Sequence, residues 1–508
     1  MNSTWMKGTI ILTFTAFLTK VLSMVYKIPY QNIVGDEGLY VFQQIYPLIG
    51  IYTLLNGVVL PTIISDLLLT YQYSESIKQY IKRSLWLFSV VSFGLLYLGS
   101  NSIALLMGDV QLNTAIKIVA IAFLVIPPLA YLRGIAQANE SSIHRLGYSI
   151  TIEQLVRVAM IIWVLVQFQQ FNIYQIANFS FLLGLIGPII ALVYLSLLKV
   201  DYQPANFLKL TSKPKIFKKS LFLFFSAGIL IVFQLIDSFL VYNSLVLGGA
   251  SAIEGMQLKG IYDRGLPIIQ ATTFFGGAIV SSIIPQLSKL KEEKQKNNVF
   301  NSALFFVIAF SIPACVGLFT IIEDLNIVLF TNNLGSQALK IMTLQVLFYP
   351  FVFLTTAILQ QEDKYALLLV SVLAGAFVKL MTTAPLTQSL GINGAAISTV
   401  LALGTMSIIS LIQFRSMIYK QSFLNLLKSL ISTLAMWVAI DYLSPIALSF
   451  IHTGEEQLFY ISSLVAQVTI GILIYATFML LFIFTSKPQT SAIKRKKRRR
   501  RRKKDKAL

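Results

Sequence analysis

Residues 299–322 read VFNSALFFVIAFSIPACVGLFTII, and this stretch contains no charged side chain. A helix needs about 20 apolar residues to cross the hydrocarbon core of a bilayer. The apolar residues form a continuous run and do not alternate with polar ones, so the stretch predicts a transmembrane helix, not a strand of a membrane barrel. Similar uncharged runs occupy residues 85–107 and 458–485.

The composition of the whole chain agrees with this interpretation. Of its 508 residues, 56% are hydrophobic and 12% are charged, whereas soluble chains carry roughly 25% charged residues. We therefore expect an all-α integral membrane protein. The single cysteine, Cys315, excludes an internal disulfide. The two histidines lie far apart beside polar connections, so we expect no metal site.

Hydropathy and polar breaks predict about fourteen transmembrane helices. They cover residues 8–30, 38–69, 84–107, 114–136, 146–168, 172–198, 220–247, 262–288, 299–322, 337–360, 364–387, 391–415, 424–448 and 456–485. If the N-terminus is cytoplasmic, lysine and arginine gather in the inner connections, while Lys259 alone falls in an outer one. This distribution follows the positive-inside rule and predicts that both ends are cytoplasmic.

The last residues of the chain are strongly basic. Residues 487–508 carry 13 Lys or Arg and one Asp, which is +12 of the formal net charge of +20. We expect a disordered tail that is attracted to anionic lipid headgroups, by about 1 kcal/mol per charge near the surface. This interpretation is favoured over nucleic-acid binding, the other use of a basic run.

A constant separation relates the two halves of the chain. Pro128 falls on Pro350 and Arg157 on Lys379, both at 222 residues. Such weak symmetry is typical of transporters built from repeats. It predicts an N-terminal six-helix lobe (1–198), a basic cytoplasmic linker (199–219), a C-terminal six-helix lobe (220–415), two appended helices (416–485) and a tail (486–508).

Charged side chains lie deep in the predicted spans. Lys20 is about 18 Å into the first span at a rise of about 1.5 Å per residue. Deep charges normally face a bundle interior or a watery cavity, since each costs about 3 kcal/mol at the bilayer centre. Glu153 lies four residues before Arg157 and suits an ion pair that merely neutralises both. Asp237 suits a bridge to Lys20 or Lys379, or a role in ion coupling or charge balance.

The cations exceed the acids that this pairing leaves. Once Glu153 is paired with Arg157, the remaining deep acids are too few for the cations Lys20, Arg157 and Lys379. Lys27 and Arg264 add to the excess, although both lie nearer an interface, as do Arg133 and Lys117. A positive cavity suits an anionic substrate, and phosphate is the obvious class.

Proline and glycine interrupt two spans at similar places. Pro47, Gly57 and Pro61 lie in the second span, and Pro267 and Pro285 lie in the eighth. Such residues bend helices and permit close approach. The two helices are therefore candidate gates, although simple packing kinks explain the pattern equally well.

The sequence also argues against an enzyme. No Gly-Lys dipeptide occurs, so the nucleotide loop that requires one is absent, and no nucleophile–base arrangement is found. We expect no cofactor, and we expect energy from the membrane potential or from Na⁺ or H⁺.

Four stretches carry a family resemblance. Residues 8–47, GTIILTFTAFLTKVLSMVYKIPYQNIVGDEGLYVFQQIYP, resemble the opening of polysaccharide-transport proteins of the multidrug/oligosaccharidyl-lipid/polysaccharide exporter superfamily. LRGIAQAN (132–139), IEQLVRV (152–158) and GIYDRGLPIIQ (260–270) resemble the same branch, which includes stage V sporulation protein B and the MurJ-type lipid II flippases. The resemblance covers roughly residues 5–485 and leaves out the tail.

The resemblance implies a function and a site. It implies two six-helix lobes, a central cationic cavity and a groove at the last two helices for a polyprenyl tail, in a monomer of the bacterial cytoplasmic membrane. The substrate would be an undecaprenyl-pyrophosphate-linked saccharide, held on Lys20, Lys27 and Arg264. A basic residue found on the second helix of other members is replaced here by glutamines in VFQQIYP. A cation-coupled multidrug exporter and a non-transporting scaffold of an envelope-synthesis complex remain alternatives.

Overall fold

The computed structural model describes residues 18, 21–22, 26–139, 142–198, 216–272, 276–277, 292–362, 364–449 and 456–485. Over these residues the chain is helical and has no strand, so the predicted all-α fold is confirmed. The α-helices are α1 (Lys27–Leu54), α2 (Leu60–Thr70), α3 (Glu75–Leu98), α4 (Ser100–Leu106), α5 (Asn113–Phe123), α6 (Ile126–Ala138), α7 (Ile143–Gln167), α8 (Ile173–Gly184), α9 (Ile186–Leu197), α10 (Ile216–Leu247), α11 (Ala252–Asp263), α12 (Glu293–Phe330), α13 (Ser336–Thr343), α14 (Gln345–Gln361), α15 (Tyr365–Leu390), α16 (Ile392–Phe414), α17 (Lys420–Ser449) and α18 (Glu456–Thr485).

Most of the predicted spans have a counterpart. Within the described ranges, eleven helical stretches are long and apolar enough to cross a membrane, and the bent pair of Val110–Phe123 with Ile126–Ala138 makes up to twelve. Each of these overlaps one predicted span, except Lys27–Thr70, which overlaps both 8–30 and 38–69. The predicted spans 8–30 and 262–288 lie in large part outside the described residues. The total of fourteen therefore stays a prediction.

The residues predicted to connect the first two spans are helical. Helix α1 starts at Lys27 and runs through the residues predicted to connect the spans, with a break at Gly35 alone (φ 77°, ψ −178°). Glycine adopts this conformation readily, whereas other residues are strained in it. The 44 helical residues from Lys27 to Thr70 would extend about 66 Å, twice the hydrocarbon thickness of about 30 Å. The stretch is therefore too long for one straight crossing, and Gly35 interrupts it near its start.

A π-helical turn and a proline interrupt the regular α-helical hydrogen bonds that follow. Residues Leu55–Val59 form a π-helical turn directly before Pro61. In the π register each N–H bonds the carbonyl five residues earlier, and Pro61 has no N–H to give to the carbonyl of Asn56. Arg133 of α6 donates to that carbonyl oxygen instead, at 3.4 Å. The carbonyl that Pro61 leaves without an N–H donor is thus satisfied by a buried arginine.

The buried apolar side chains form separate clusters in the two halves of the chain. One cluster draws on residues 26–181, with Tyr242 and Met256 added from α10 and α11. The next draws on residues from 222 onwards, with Leu54 and Val59 added from the first half. The halves meet where α1 packs against α10 and α11. The boundaries of the predicted lobes stay a prediction.

The last two helices pack as a pair on the second half. Helices α17 and α18 contact each other and α12. Asn301 of α12 fixes the start of α17, because its Nδ2 donates to the Met417 carbonyl at 2.6 Å and its Oδ1 accepts from the Tyr419 N–H at 2.9 Å. Large apolar side chains of α18 face outwards, Leu473 with 61% of its surface exposed. Such a surface suits contact with lipid tails.

Candidate functional site

A buried ion pair joins the two halves. Arg264, directly after α11, donates from Nε to Asp36 Oδ1 at 2.7 Å and from Nη2 to Asp36 Oδ2 at 2.5 Å. Its Nη1 donates to Asn332 Oδ1 at 2.7 Å. Arg264 is 0% exposed. The planar guanidinium meets the carboxylate with two parallel bonds, the geometry that an arginine offers and a lysine does not.

Neighbouring residues extend this contact. Gln257 of α11 donates to Glu37 Oε1 at 2.8 Å. Gly260 lies so close to the other half that an added Cβ would be 2.0 Å from the Asp36 carbonyl oxygen. We refer to the following residues as the Asp36 clamp: Asp36, Glu37, Gln257, Arg264 and Asn332. In the predicted orientation the clamp lies at the outer side of the membrane.

A second contact lies at the connection between α4 and α5, on the same predicted side. Asn243 of α10 donates to the Leu106 carbonyl oxygen at 2.9 Å. Three residues later, Asp109 accepts hydrogen bonds from the Tyr174 hydroxyl at 2.7 Å and the Gln111 N–H at 3.0 Å. Burial raises the pKa of Asp109, and these two hydrogen bonds lower it by less. The halves are thus held together at more than one point of this side.

The second half contains an enclosed ion pair. Lys379 of α15 lies 2.5 Å from Asp237 Oδ1 of α10, and Asp237 Oδ2 accepts from the Tyr262 hydroxyl at 3.0 Å. The ammonium also donates to Thr399 at 2.6 Å and to Ser398 at 3.1 Å. Lys379 is 0% exposed. The pair is electrically neutral, and the alternative in which Asp237 bridges to Lys379 is the one that the geometry supports.

A second neutral pair lies nearby on α11. Lys259 Nζ donates to both carboxylate oxygens of Asp263 at 2.6 Å. The two side chains are 2% and 1% exposed. From the sequence, Lys259 was expected in a connection and Asp263 was not a candidate, although residues four apart on a helix share a face.

The first half contains two arginines on one glutamate. Glu153 of α7 accepts from Arg157 at 2.5 Å through Oε1 and from Arg133 of α6 at 2.7 Å through Oε2. Arg133 also donates to Ser149 at 3.0 Å and is 1% exposed. We call Arg133, Glu153 and Arg157 the arginine triad, and its three charges sum to +1.

The triad lies beside a cavity. Residues of α1, α5, α7, α8 and α9 line a small cavity that has space for about one water molecule. Its wall includes Arg157, Ser180 and the rings of Tyr26, Tyr46 and Tyr52. The ammonium of Lys27 lies 4.1 Å from the centroid of the Tyr46 ring, a cation–π contact. We call this space the N-terminal cavity.

Several of the sequence expectations need correction. The cations do not exceed their acids in the way expected, because Arg264 and Lys379 each have a carboxylate partner. The partner of Arg264, Asp36, is 228 residues away, and sequence spacing gives no sign of such a contact. Arg133 was expected near an interface but is buried.

Other candidate residues have a plainer outcome. The expected pair of Glu153 and Arg157 is present. Pro47 lies inside α1, and Arg264 lies three residues before Pro267, where α11 ends. Lys20 and Pro285 lie outside the described residues. Over the part of the chain that the structure describes, no group of three or more His, Cys, Asp or Glu side chains could hold a metal ion.

The helices and their buried charges define a multi-pass membrane protein of the bacterial exporter class. The model of the family described as "Polysaccharide biosynthesis protein" matches residues 5–291. The chain belongs to this family. As the sequence motifs predict, it falls within the multidrug/oligosaccharidyl-lipid/polysaccharide exporter superfamily, in the branch of the lipid II flippases.

Individual proteins agree with this placement. The membrane protein YabM of Bacillus subtilis (strain 168) is 32% identical over 429 residues, 80% of each chain. The lipid II flippase MurJ of the same organism is 24% identical over 446 residues, 79% of this chain and 80% of that protein. The structure of a lipid II flippase MurJ in an inward closed conformation superposes with a TM-score of 0.70 at 15% identity, covering 93% of this chain and 98% of that one.

Proposed function

We propose that the protein is a flippase that moves an undecaprenyl-pyrophosphate-linked saccharide from the inner to the outer leaflet by alternating access. The similarity to MurJ of Bacillus subtilis supports this class of substrate. The single observation that carries the proposal is the Asp36 clamp, a buried charged contact that holds two helical halves together on one side. Alternating access requires such a contact to form and break.

The membrane potential is the proposed source of energy, with no cofactor and no chemical step. Each negative charge that moves outwards gains about 2.3 kcal/mol per 100 mV of inside-negative potential. An anionic headgroup would be driven in the proposed direction, and coupling to Na⁺ or H⁺ would add to this drive. Both ends of the chain would be cytoplasmic, with the basic tail on anionic lipids, and the working unit would be a monomer.

The multidrug alternative is less well supported by the buried acids. A cationic drug needs a carboxylate without a bound cation, yet Glu153, Asp237 and Asp263 each contact a lysine or arginine. The scaffold alternative predicts that the clamp has no effect on transport. A transport assay separates it from the flippase proposal.

The test replaces Arg264 with Ala, and separately Lys20 with Ala, in a cell depleted of its own flippase. We expect precursor on the outer face to fall about tenfold or more at equal protein abundance, because Arg264→Ala leaves Asp36 of the clamp without its buried partner. Lys20→Ala would remove a cation that the family resemblance assigns to the substrate. The measurement is the amount of lipid-linked precursor accessible from outside.

A matched control removes an ion pair from the surface. Lys340 lies 2.6 Å from Glu323, and both side chains are partly exposed. Because exposed ion pairs contribute little, the Lys340→Ala variant should transport normally. Full rescue by both Arg264→Ala and Lys20→Ala would rule out the cationic site and favour the scaffold.

A further inference from the structure

Lys379 is a buried cation among oxygen atoms of the second half. It lies near the middle of α15, and its side chain is 0% exposed. Its ammonium nitrogen lies 2.5 Å from Asp237 Oδ1, 2.6 Å from Thr399 Oγ1 and 3.1 Å from Ser398 Oγ. We call Asp237, Ser398 and Thr399 the Lys379 cradle. Helices α10 and α16 supply the cradle, and α15 supplies the charge that fills it.

The two hydroxyls of the cradle are oriented to accept from a cation. Ser398 Oγ donates to the Ala395 carbonyl oxygen at 2.9 Å, and Thr399 Oγ1 donates to the same carbonyl oxygen at 3.2 Å. A hydroxyl has one hydrogen and two lone pairs, so this carbonyl takes the hydrogens and the lone pairs are left for Lys379. The cradle therefore presents three oxygen acceptors to one point, and oxygen acceptors are the ligands that hard cations take.

The cradle requires one positive charge. Without Lys379 its net charge is −1, from Asp237, which is 5% exposed. The other carboxylate oxygen, Oδ2, accepts from the Tyr262 hydroxyl at 3.0 Å, a neutral donor. A buried carboxylate without a cation is strongly unfavourable. Lys379 supplies the required charge through a side chain that cannot leave.

A water-sized space adjoins the cradle. Asp237, Tyr262, Gln345 and Thr399 are among the residues that line a cavity with room for about one water molecule. Gln345 is 4% exposed, and its Nε2 has no hydrogen-bond partner within the part of the chain that the structure describes. A water molecule in this space would give that amide an acceptor. An ion in the cradle would then have a water ligand beside the protein oxygens.

We propose that the Lys379 ammonium is a tethered cation that holds the place of a mobile alkali ion such as Na⁺, so that the protein takes up no coupling ion at Asp237. Sites for coupling ions in transporters lie near the middle of the bilayer, where α15 places Lys379. Asp237 then serves charge balance and not ion coupling. The consequence for transport rests on the proposed function, whereas the consequence for ion binding does not.

The first test measures the binding of radioactive Na⁺ to the purified full-length protein in detergent, with choline chloride keeping the ionic strength constant. We expect no saturable binding to the unaltered protein. Lys379→Ser leaves Asp237 without its cation and should bind about one Na⁺ per molecule. The double variant Lys379→Ser with Asp237→Asn has no charge to balance and should bind none.

Thermal unfolding gives a second measurement on the same variants. Lys379→Ser should unfold about 2 °C or more higher in NaCl than in choline chloride, because an ion that binds only the folded state stabilises it. The double variant should unfold at the same temperature in both salts. Lys340→Ser is the matched control, since it removes a partly exposed lysine from Glu323 and should also be indifferent to the salt.

A cell assay tests the consequence for transport. In cells depleted of their own flippase, the unaltered protein should place the same amount of precursor on the outer face with Na⁺ in the medium as with K⁺ in its place. Such independence is expected because the charge at Asp237 is supplied by the chain itself.

Each outcome has a definite meaning. Saturable Na⁺ binding by the unaltered protein that the double variant lacks overturns the proposal. So does a Lys379→Ser variant that is indifferent to Na⁺, or that is unstable in both salts while the double variant is stable. Transport that falls without Na⁺ refutes the inference and leaves the proposed function intact. If the binding results are as expected and no transport is detected, the proposed function fails and the tethered cation stands.

Discussion

At the scale of single residues, Glu153 is the most heavily shared group of the first half. It bonds to Arg133 and Arg157 from opposite oxygens. The two arginines differ in their other bonds, because Arg133 also satisfies Ser149 and the Asn56 carbonyl. Arg133 therefore contributes more to the stability of the fold than Arg157 does.

We expect the two arginines to differ in their effect on stability. Arg133→Gln should lower the free energy of unfolding by about 1–3 kcal/mol, since it leaves the Asn56 carbonyl without its donor, although Glu153 keeps Arg157. Arg157→Gln should lower it by less than about 1 kcal/mol, because Glu153 keeps a partner. Thermal unfolding of both variants in detergent provides the measurement. Equal destabilisation would contradict the assigned division of roles.

Sequence spacing found some of these residues and missed others. Glu153 and Arg157 lie four apart on one helix, and local spacing predicts their contact. Arg133 reaches Glu153 from another helix, 20 residues earlier. Nothing in hydropathy tells which face of α6 is turned inwards at that point. To predict contacts between helices, one must know how the helices pack, and this packing depends on the whole fold.

At the scale of helices, α15 and α16 form a tight antiparallel pair. Gly391, between them, has φ 60° and ψ −143°, a conformation that glycine adopts without strain. At the start of α16, an added Cβ on Gly394 would lie 1.9 Å from the Leu386 carbonyl oxygen. The obstacle is backbone, which cannot turn aside as a flexible side chain does.

Gly394→Ala should therefore destabilise the protein by about 1–3 kcal/mol, the usual range for a substitution that overpacks closely packed elements. The measurement is the midpoint of thermal unfolding. Gly94→Ala is the matched control, because nothing lies within 4 Å of its added Cβ, and alanine in an open helical position gains about 0.5–1 kcal/mol. A midpoint for Gly394→Ala at or above that of Gly94→Ala would contradict the reasoning.

The positions of helices were predictable to a greater degree than their shapes. An uncharged apolar run of membrane length is a local signal, so twelve stretches overlap predicted spans. The span predicted at 114–136 is bent by 44°, and Pro127 and Pro128 follow the bend. Each proline removes an N–H from the first turn of α6. The angle itself depends on what packs beside the helix.

At the scale of the whole molecule, the Asp36 clamp defines a closed side. Its members come from two distant parts of the chain, near residues 36 and 260. Clamp residues must separate whenever this side opens. A covalent link across them should therefore trap one state.

We expect a cross-link between positions 37 and 257 to stop transport. In a Cys315→Ser background, Glu37→Cys with Gln257→Cys places thiols where two side chains touch at 2.8 Å. A short reducible thiol cross-linker should abolish outer-face precursor, and reduction should restore it. The control pair, Glu323→Cys with Lys340→Cys, lies within one half at 2.6 Å and should link without loss of transport. Undiminished transport by the cross-linked clamp would exclude its role as a gate.

The overall class of the protein was accessible from sequence, and the clamp was not. Four motifs predicted the family. No sequence pattern indicates that Asp36, in its acidic connection, contacts Arg264 of the YDRG motif. Their meeting follows from the packing of α1 on α11, which Gly260 allows by bringing the backbones together.

The uneven charge of the arginine triad has a consequence for the return stroke. The triad's one positive charge, in an empty transporter, would be drawn by the inside-negative field towards the cytoplasm, by up to about 2.3 kcal/mol per 100 mV if that charge crosses the whole field. When a doubly charged anion is bound, the summed charge of the triad and the anion becomes negative, and the electric force reverses its direction. The same voltage would then reset the empty carrier as well as expel the cargo, so that no second ion is required to complete the cycle.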